Sequence, residues 1–233
     1  MSVRFRVVFL MALLGVSLGA SAQVISQLAP GERIPNLDKF KAELKAYHDC
    51  TGSYGCYTRD LNLQANRAIM FLKHRAAHAR AGEKLALVLD IDETTLSNYP
   101  EMVAAGFAYD SARFDAWEKQ AKAPAIDGTL RLYKVARQLG VSVFFLTGRP
   151  ESERAETVQD LHAAGFDDWQ ELILRSANEL HETALAYKSA ERARIVSQGY
   201  RIVLNVGDQW SDLRGKPMAE FSVKYPDPFY FIP

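Results

Sequence analysis

Two aspartates one residue apart, Asp90 and Asp92, follow a short apolar run that ends at Leu89. Alternate side chains of a strand lie on one face, so both carboxylates are expected to project from the same side where the strand ends. In open α/β sheets, ligands bind beyond the carboxyl ends of the strands. Two like charges held this close are unfavourable unless a cation or a shared proton relieves them. The pair therefore predicts a ligand site at this strand end.

Polar groups also follow two later apolar runs, and one lysine lies on the helix predicted between those runs. These residues are Thr147 and Gly148, then Lys188, then Asp208 and Asp212. Each residue also has a structural interpretation. Thr147 could cap a helix, Lys188 could be a solvated helix residue, and Asp212 could be a carboxylate that stabilises a helix N-terminus. For Asp208 the alternative is a structural role. Their order at successive strand ends favours a joint site.

The elements that must position these groups alternate between strand and helix. Helices are predicted within 35–80, over 125–139, over 152–164 and over 181–198, and strands over 87–89, 141–146, 169–174 and 200–206. The tail, 222–233, fits an edge strand. This alternation predicts an α/β fold, a Rossmann-like, mainly parallel sheet with helices on both faces. A small cap insertion, about 99–124, is rich in aromatic residues and is either a lid over the site or plain packing against the core.

Composition excludes some classes of function. The chain has 233 residues, of which 48% are hydrophobic, and 28 basic residues balance 28 acidic ones. This is enough for one sizeable domain with a core. A net charge of zero gives no sign of the excess of basic residues that is typical of proteins that bind nucleic acid or a membrane surface.

The first 22 residues have the pattern of a cleavable signal peptide. Arg4 and Arg6 precede an apolar run, and Ala20 and Ala22 form a small-residue cleavage pattern before Gln23. We therefore expect a periplasmic or secreted protein without a stable membrane anchor, folded as one domain over 23–233. An uncleaved anchor is the alternative.

The chain has two cysteines, Cys50 and Cys56, separated by a glycine-containing loop. An exported context favours a disulfide between them, and two free thiols are the alternative.

Taken together, the motifs resemble the haloacid dehalogenase-like superfamily, and within it the acid phosphatases of the bacterial class C and plant type (subfamily IIIB). The stretches that carry the resemblance are 90–98 (DIDETTLSN), 144–149 (FFLTGR), 187–189 (YKS) and 207–213 (GDQWSDL). The resemblance covers roughly residues 35–233. It implies an acid phosphatase that hydrolyses phosphomonoesters through an aspartyl-phosphate.

The resemblance also implies roles for single residues. Asp90 would be the nucleophile, and Asp92 the acid that protonates the leaving alcohol and then the base that activates water. Thr147, beside Gly148, would hydrogen-bond a phosphoryl oxygen, and Lys188 would neutralise charge on the nucleophile and the phosphoryl group.

The implied cofactor is Mg²⁺. Asp90, the backbone carbonyl of Asp92, and Asp208 would hold it, with Asp212 supporting from further out or through water. Arg149 is expected either to contact substrate or to form a salt bridge within the fold, and Glu93 to point away from the site.

Three other functions compete with this interpretation. A non-catalytic storage or binding protein on the same fold would be indicated by loss of the nucleophile, but Asp90 is present. A dehalogenase is disfavoured because that branch lacks the second aspartate of the first motif and needs no metal. A 5′-nucleotidase would use aromatic residues such as Tyr99, Phe107 or Trp117 to stack on the base of a nucleoside monophosphate.

Overall fold

The structure is a computed structural model that describes residues 34–232. By its packing the chain divides into two units, Met1–Phe40 and Lys41–Pro233, and the second holds the sheet described below. The predicted signal peptide, 1–22, lies outside the described residues. The single domain over 23–233 stays a prediction.

The helices of the described residues are α1 (Leu37–His48), α2 (Tyr57–Ala77), α3 (Tyr99–Ala104), α4 (Ser111–Glu118), α5 (Asp127–Gln138), α6 (Arg154–Ala163), α7 (Ala184–Ser197) and α8 (Trp210–Leu213). Short 3₁₀ turns, Glu151–Glu153 and Ala177–Glu179, precede α6 and α7. The strands are β1 (Lys84–Leu89), β2 (Ser142–Pro150), β3 (Glu171–Arg175), β4 (Tyr200–Gly207) and β5 (Phe221–Lys224).

The five strands form one parallel sheet in the order β3-β2-β1-β4-β5. The central strand, β1, pairs Leu89 with Phe145 on one side and with Val206 on the other. The carboxyl ends of β1 and β4 therefore lie level at one edge of the sheet, and β2 continues beyond them to Pro150. The predicted parallel α/β fold is confirmed.

Side chains of β1 alternate between two cores, as the period of a strand requires. Leu87 and Leu89 pack with residues of α2 and α5 such as Leu72 and Leu132. Val88, on the other face, packs in a second core that also contains side chains of α7. Helices thus cover both faces, which explains why β1 is apolar at nearly every position.

Helices α2 and α5 approach each other closely at Gly128. A Cβ atom at Gly128 would lie 2.6 Å from the Cβ of Ala65 on α2, too near for any side chain. Gly128 comes just after the cap insertion, where the amide of Ile126 donates to the carbonyl of Thr95 at 2.9 Å. The small residue therefore fixes where the cap insertion, which contains α3 and α4, rejoins the domain.

The structure shows a helix cap within the cap insertion and confirms the predicted disulfide. The side chain of Asp110 caps α4 by accepting a hydrogen bond from the Arg113 amide at 3.0 Å. Cys50 and Cys56 are joined by a disulfide in the loop between α1 and α2.

None of the helices between residues 34 and 232 is long and apolar enough to cross a membrane.

Candidate active site

The ends of β1 and β4 bring the predicted acidic residues together. Asp90 comes directly after β1, and its amide donates to the carbonyl of Val206 on β4 at 3.1 Å. Asp208 follows β4, and Asp212 lies on the short helix after it. Carboxylate oxygens of Asp90, Asp208 and Asp212 all lie within 4.8 Å of one another, and all three residues are buried.

Lys188 extends from α7 into this cluster. Its ammonium donates to Oδ1 of Asp90 at 2.5 Å and to Oδ1 of Asp212 at 2.6 Å. The lysine is 5% exposed, so both contacts are shielded from water. Burial acts to lower the pKa of Lys188, but Asp212 and Asp90 outweigh it and raise the pKa, so the side chain stays an ammonium ion.

The cluster still carries more negative than positive charge. Burial raises the pKa of Asp90 well above its ordinary value, and the neighbouring aspartates add to this effect while Lys188 opposes it. Burial, together with the charges of Asp212 and Asp227, raises the pKa of Asp208 to about 7. A bound cation would relieve this excess of charge. The donors are carboxylate oxygens, which hard divalent cations prefer, so the residues fit the predicted metal.

Asp212 is held rigidly by its neighbours. Its Oδ2 accepts from the Gln209 amide at 2.8 Å, while Arg192 and Asn205 donate to its backbone carbonyl at 2.6 and 2.8 Å. Gly207 leaves room for this side chain, because a Cβ atom there would collide with it. These contacts aim Asp212 at Lys188.

Asp92 lies beside the cluster in a different environment. The guanidinium of Arg149 donates to Oδ1 of Asp92 at 2.6 Å, and Asn98 donates to the same oxygen at 2.8 Å. Burial would raise the pKa of Asp92, but the charge and hydrogen bonds of Arg149, with help from Asn98, lower it. Asp92 is therefore an ionised carboxylate here.

Arg149 forms ion pairs within the fold, the second of the two expectations for it. It is 4% exposed and also lies 2.9 Å from Glu118 on α4 and 3.5 Å from Asp160 on α6. This one side chain thus links Asp92 to the cap insertion and to the helix after β2. Nothing in the sequence identifies partners so far apart along the chain.

Glu93 and Asn98 form a second support that the sequence did not predict. Glu93 is buried and contributes to the lining of the cleft, and it accepts from the Asn98 amide at 2.5 Å. Asn98 in turn accepts from the indole of Trp117 at 3.0 Å. The prediction that Glu93 points away from the site is therefore wrong, because the turn with positive φ at Glu93 brings its side chain back.

Thr147 and Gly148 lie within β2, which continues to Pro150 beyond its predicted end at 146. Thr147 is fully buried, and its hydroxyl accepts from the Arg149 amide at 3.2 Å. Gly148, and not Thr147, contributes to the wall of the cleft described next.

A cleft of about 560 Å³ lies over the acidic cluster. Its floor contains Asp90, Asp92, Lys188 and Asp208, and aromatic side chains form much of its walls: Phe107, Tyr109, Phe114, Phe229, Tyr230 and Phe231. Tyr99 is not part of the lining, since it stacks on His48 with ring centroids 3.4 Å apart. Of the aromatic residues predicted to contact a base, the structure brings Phe107 into the cleft.

Comparison with known proteins gives a consistent family. The family model of the HAD superfamily, subfamily IIIB (Acid phosphatase), matches residues 15–233. Acid phosphatase 1 of Solanum lycopersicum is 45% identical over 148 residues, which cover 62% of this chain and 58% of that protein. Vegetative storage protein 1 of Arabidopsis thaliana is 34% identical over 151 residues, which cover 63% and 55%. These alignments thus span less than two thirds of either relative.

The fold is also that of a solved structure. The class C acid phosphatase from Bacillus anthracis superposes with a TM-score of 0.67 and 23% identity, covering 84% of this chain and 86% of that chain. That enzyme was also solved with tungstate bound. Because the family model spans residues 15–233, well over half of the chain, this protein belongs to the HAD superfamily, subfamily IIIB, the acid phosphatases.

Proposed function

We propose that the protein is an acid phosphatase that hydrolyses small phosphomonoesters through an aspartyl-phosphate, with Mg²⁺ as cofactor. The observation that carries the proposal is the buried contact of Lys188 with Asp90 and Asp212, beside Asp208 and at the floor of the cleft. Phosphoryl transfer needs positioning and charge neutralisation more than covalent chemistry, and this arrangement provides both. Membership of the acid phosphatase subfamily supports the same reaction.

The residues that would hold the metal are Asp90 and Asp208, with the backbone carbonyl of Asp92, and Asp212 supports them through its contact with Lys188. When bound, the cation supplies positive charge that allows an anionic carboxylate to approach an anionic phosphate.

Asp90 would attack phosphorus, and the bond from phosphorus to the leaving oxygen would break as the leaving alcohol takes a proton from Asp92. Water would then attack the aspartyl-phosphate and give its proton to Asp92, which releases phosphate and restores Asp90. Lys188 would offset the charge on Asp90 and the phosphoryl oxygens throughout. Thr147 would hydrogen-bond a phosphoryl oxygen from β2, beside Gly148, which lines the cleft.

The ionised state of Asp92 suits one half of this cycle. A carboxylate held by Arg149 is ready to accept a proton from water, as the second step requires. The first step needs a proton on Asp92, and the contact with Arg149 disfavours it. Arg149 would therefore orient the carboxylate of Asp92 for the second step, in which Asp92 acts as a base.

We also propose that the protein is exported. The basic, apolar and small residues of 1–22 form a signal peptide pattern, and the disulfide between Cys50 and Cys56 suits an oxidising compartment.

A storage role is the second candidate, because vegetative storage proteins are among the relatives. The retained Asp90, Asp92 and Asp208 favour catalysis over storage. Hydrolysis of phosphomonoesters by the purified protein distinguishes a phosphatase from a storage protein.

The test is release of phosphate from p-nitrophenyl phosphate and from nucleoside monophosphates, by purified protein from pH 4.5 to 8, with Mg²⁺ or with EDTA. We expect turnover that EDTA abolishes and Mg²⁺ restores. Faster turnover of nucleotides would assign the aromatic walls to base recognition. Folded protein that releases no phosphate under any of these conditions would exclude the phosphatase and leave the storage role.

A further inference from the structure

Three basic side chains line the cleft in the described residues, and two of them are neutralised. Arg149 pairs with Asp92, Glu118 and Asp160, and Lys188 with two aspartates. The third, Arg175, forms no ion pair with a carboxylate of residues 34–232; its guanidinium donates to the backbone carbonyl of Glu182 at 3.1 Å. Arg175 therefore brings an unneutralised positive charge to the cleft.

The guanidinium of Arg175 is oriented by its surroundings. It lies over the ring of Tyr187, 4.8 Å from the centroid, and Tyr187 is fully buried and precedes Lys188 on α7. Its Nε atom is buried and has no hydrogen-bond partner in the described part of the chain. A guanidinium has five N–H donors in a rigid fork that suits carboxylate and phosphate groups. The Arg175 guanidinium therefore has N–H donors that can hydrogen-bond a ligand.

The position of Arg175 separates it from the reacting centre. Arg175 is the last residue of β3, the edge strand that lies two strands away from β1, which Asp90 follows. Because neighbouring strands lie about 4.8 Å apart, its backbone is roughly 10 Å across the sheet from the end of β1, where the phosphoryl group is proposed to bind. A group bound to Arg175 would therefore be a different part of the substrate.

The charge of the cleft leaves few other places for an anion. Nine carboxylates and three basic side chains line it, and the two paired basic side chains already face some of those carboxylates. A second anionic group on the substrate would be repelled from most of the lining. Arg175 is the cation of the lining that is free to receive it.

We propose that Arg175 is a specificity residue that binds a second anionic group, a carboxylate or a further phosphate, on the non-reacting part of a phosphomonoester substrate. This inference rests on the proposed function, and it narrows the substrate class to esters with two anionic centres. An Arg–carboxylate or Arg–phosphate contact is charge-assisted and forked, so its loss is measurable.

The experiment compares substrates that differ in one anionic group. The pairs are 3-phosphoglycerate against glycerol 3-phosphate and, at a longer spacing, fructose 1,6-bisphosphate against fructose 1-phosphate. For each pair the ratio of kcat/KM is measured in wild type, Arg175→Ala and Arg175→Lys. A ratio within one preparation does not depend on how much of the protein is folded.

For at least one pair, wild type should prefer the doubly anionic ester, and Arg175→Ala should lower that ratio about tenfold. Arg175→Lys keeps the charge without the fork and should lower it less. The matched control is Arg131→Ala on α5, which removes a guanidinium bound to Asn62 and Asn66 outside the cleft, and it should leave the ratio unchanged. An unchanged ratio in Arg175→Ala, or no preference in wild type, overturns the inference.

Failure of the proposed function gives a different result. If wild type turns over none of the four esters, their binding is measured by calorimetry instead. Tighter binding of a doubly anionic ester that Arg175→Ala removes would support the anion site without the reaction. Equal binding by both proteins would overturn it.

Discussion

At the scale of single residues, the candidate site depends on a few close contacts around Asp212. Its carboxylate contacts Lys188 on one side and the Gln209 amide on the other, and Gly207 leaves the space that it fills. Because the interior is closely packed, small changes in volume at such a position are transmitted to neighbours.

Gly207→Ala should therefore impair the site. The new methyl group would collide with Asp212 and push its carboxylate away from Lys188. We expect the kcat for p-nitrophenyl phosphate to fall by about tenfold or more, as for other misplaced positioning groups. Circular dichroism at 25 °C should still show a folded protein. Wild-type kcat in this variant would contradict the role of Asp212 in holding Lys188.

The sequence predicted the acidic residues of the site and Lys188, but not the partners of Asp92 and Asp208. Asp90, Asp92 and Asp208 follow apolar runs, and the end of a strand is visible in the pattern of residues. Arg149 pairs with Asp92 across 57 residues, and the bond from Thr94 to Asp208 joins residues 114 apart. Such pairs depend on tertiary packing, so no local pattern could predict them.

At the scale of elements, the pattern of residues predicted most helices to within a few residues, but two features depended on packing. β2 extends to Pro150, beyond its predicted end at 146, because the sheet continues its pairing to Arg175. The tail was expected to be an edge strand over 222–233, whereas β5 ends at Lys224 and the following residues line the cleft. The aromatic side chains of the tail are apolar in either role, so periodicity did not distinguish them.

One cluster of charges joins the end of α2 to the sheet. Arg75 donates to Glu83, just before β1, at 2.6 Å and to Glu220, just before β5, at 2.8 Å, and Arg201 on β4 also contacts Glu220. The hydrogen bond from Arg75 is the main cause that lowers the pKa of Glu83. Burial raises the pKa of Glu220, but Arg75 and Arg201 outweigh it and lower the pKa.

This cluster predicts a stability that depends on pH. Carboxyls with a lowered folded pKa stabilise the fold above their ordinary value, about 4.5, and this contribution is lost as the pH falls through the folded pKa. Arg75→Gln should lower the Tm by roughly 2–4 °C at pH 7, and by clearly less at pH 3.

Arg59→Gln provides the control for this comparison, since its guanidinium is mostly exposed beside Asp60 and should matter little at either pH. Tm would be followed by circular dichroism. A difference between Arg75→Gln and wild type that is as large at pH 3 as at pH 7 would show that packing, and not charge pairing, is what Arg75 contributes.

At the scale of the whole molecule, the stability of a fold with two cores offsets the unfavourable burial of charge at the site. Buried carboxylates repel one another at the sheet edge, and the pKa of Asp208, raised to about 7 mainly by burial, reflects that cost. Functional sites are often unstable in this way, and stability is gained when a functional charge is removed.

Asp208→Asn should therefore separate stability from metal binding. In EDTA, the variant should melt at the wild-type temperature or above it, because one repelled charge is gone. Added Mg²⁺ should raise the Tm of wild type, since a ligand that binds the folded state stabilises it, and should raise that of the variant much less.

The control for the metal response is Asp167→Asn, which removes an exposed carboxylate beside His162. It should respond to Mg²⁺ as wild type does. An equal rise of Tm in Asp208→Asn and wild type would place the metal elsewhere.

The central claim is that Asp90 carries the phosphoryl group during turnover, and mass spectrometry tests it directly. Asp92→Asn keeps the nucleophile but lacks the base that activates water, so the intermediate should accumulate. The variant is mixed with p-nitrophenyl phosphate and Mg²⁺, quenched in acid and digested. We predict one added phosphoryl group on Asp90, and none in the double variant with Asp90→Asn. If wild type is active but Asp92→Asn carries the phosphoryl group on another residue, or on none, the claim is contradicted.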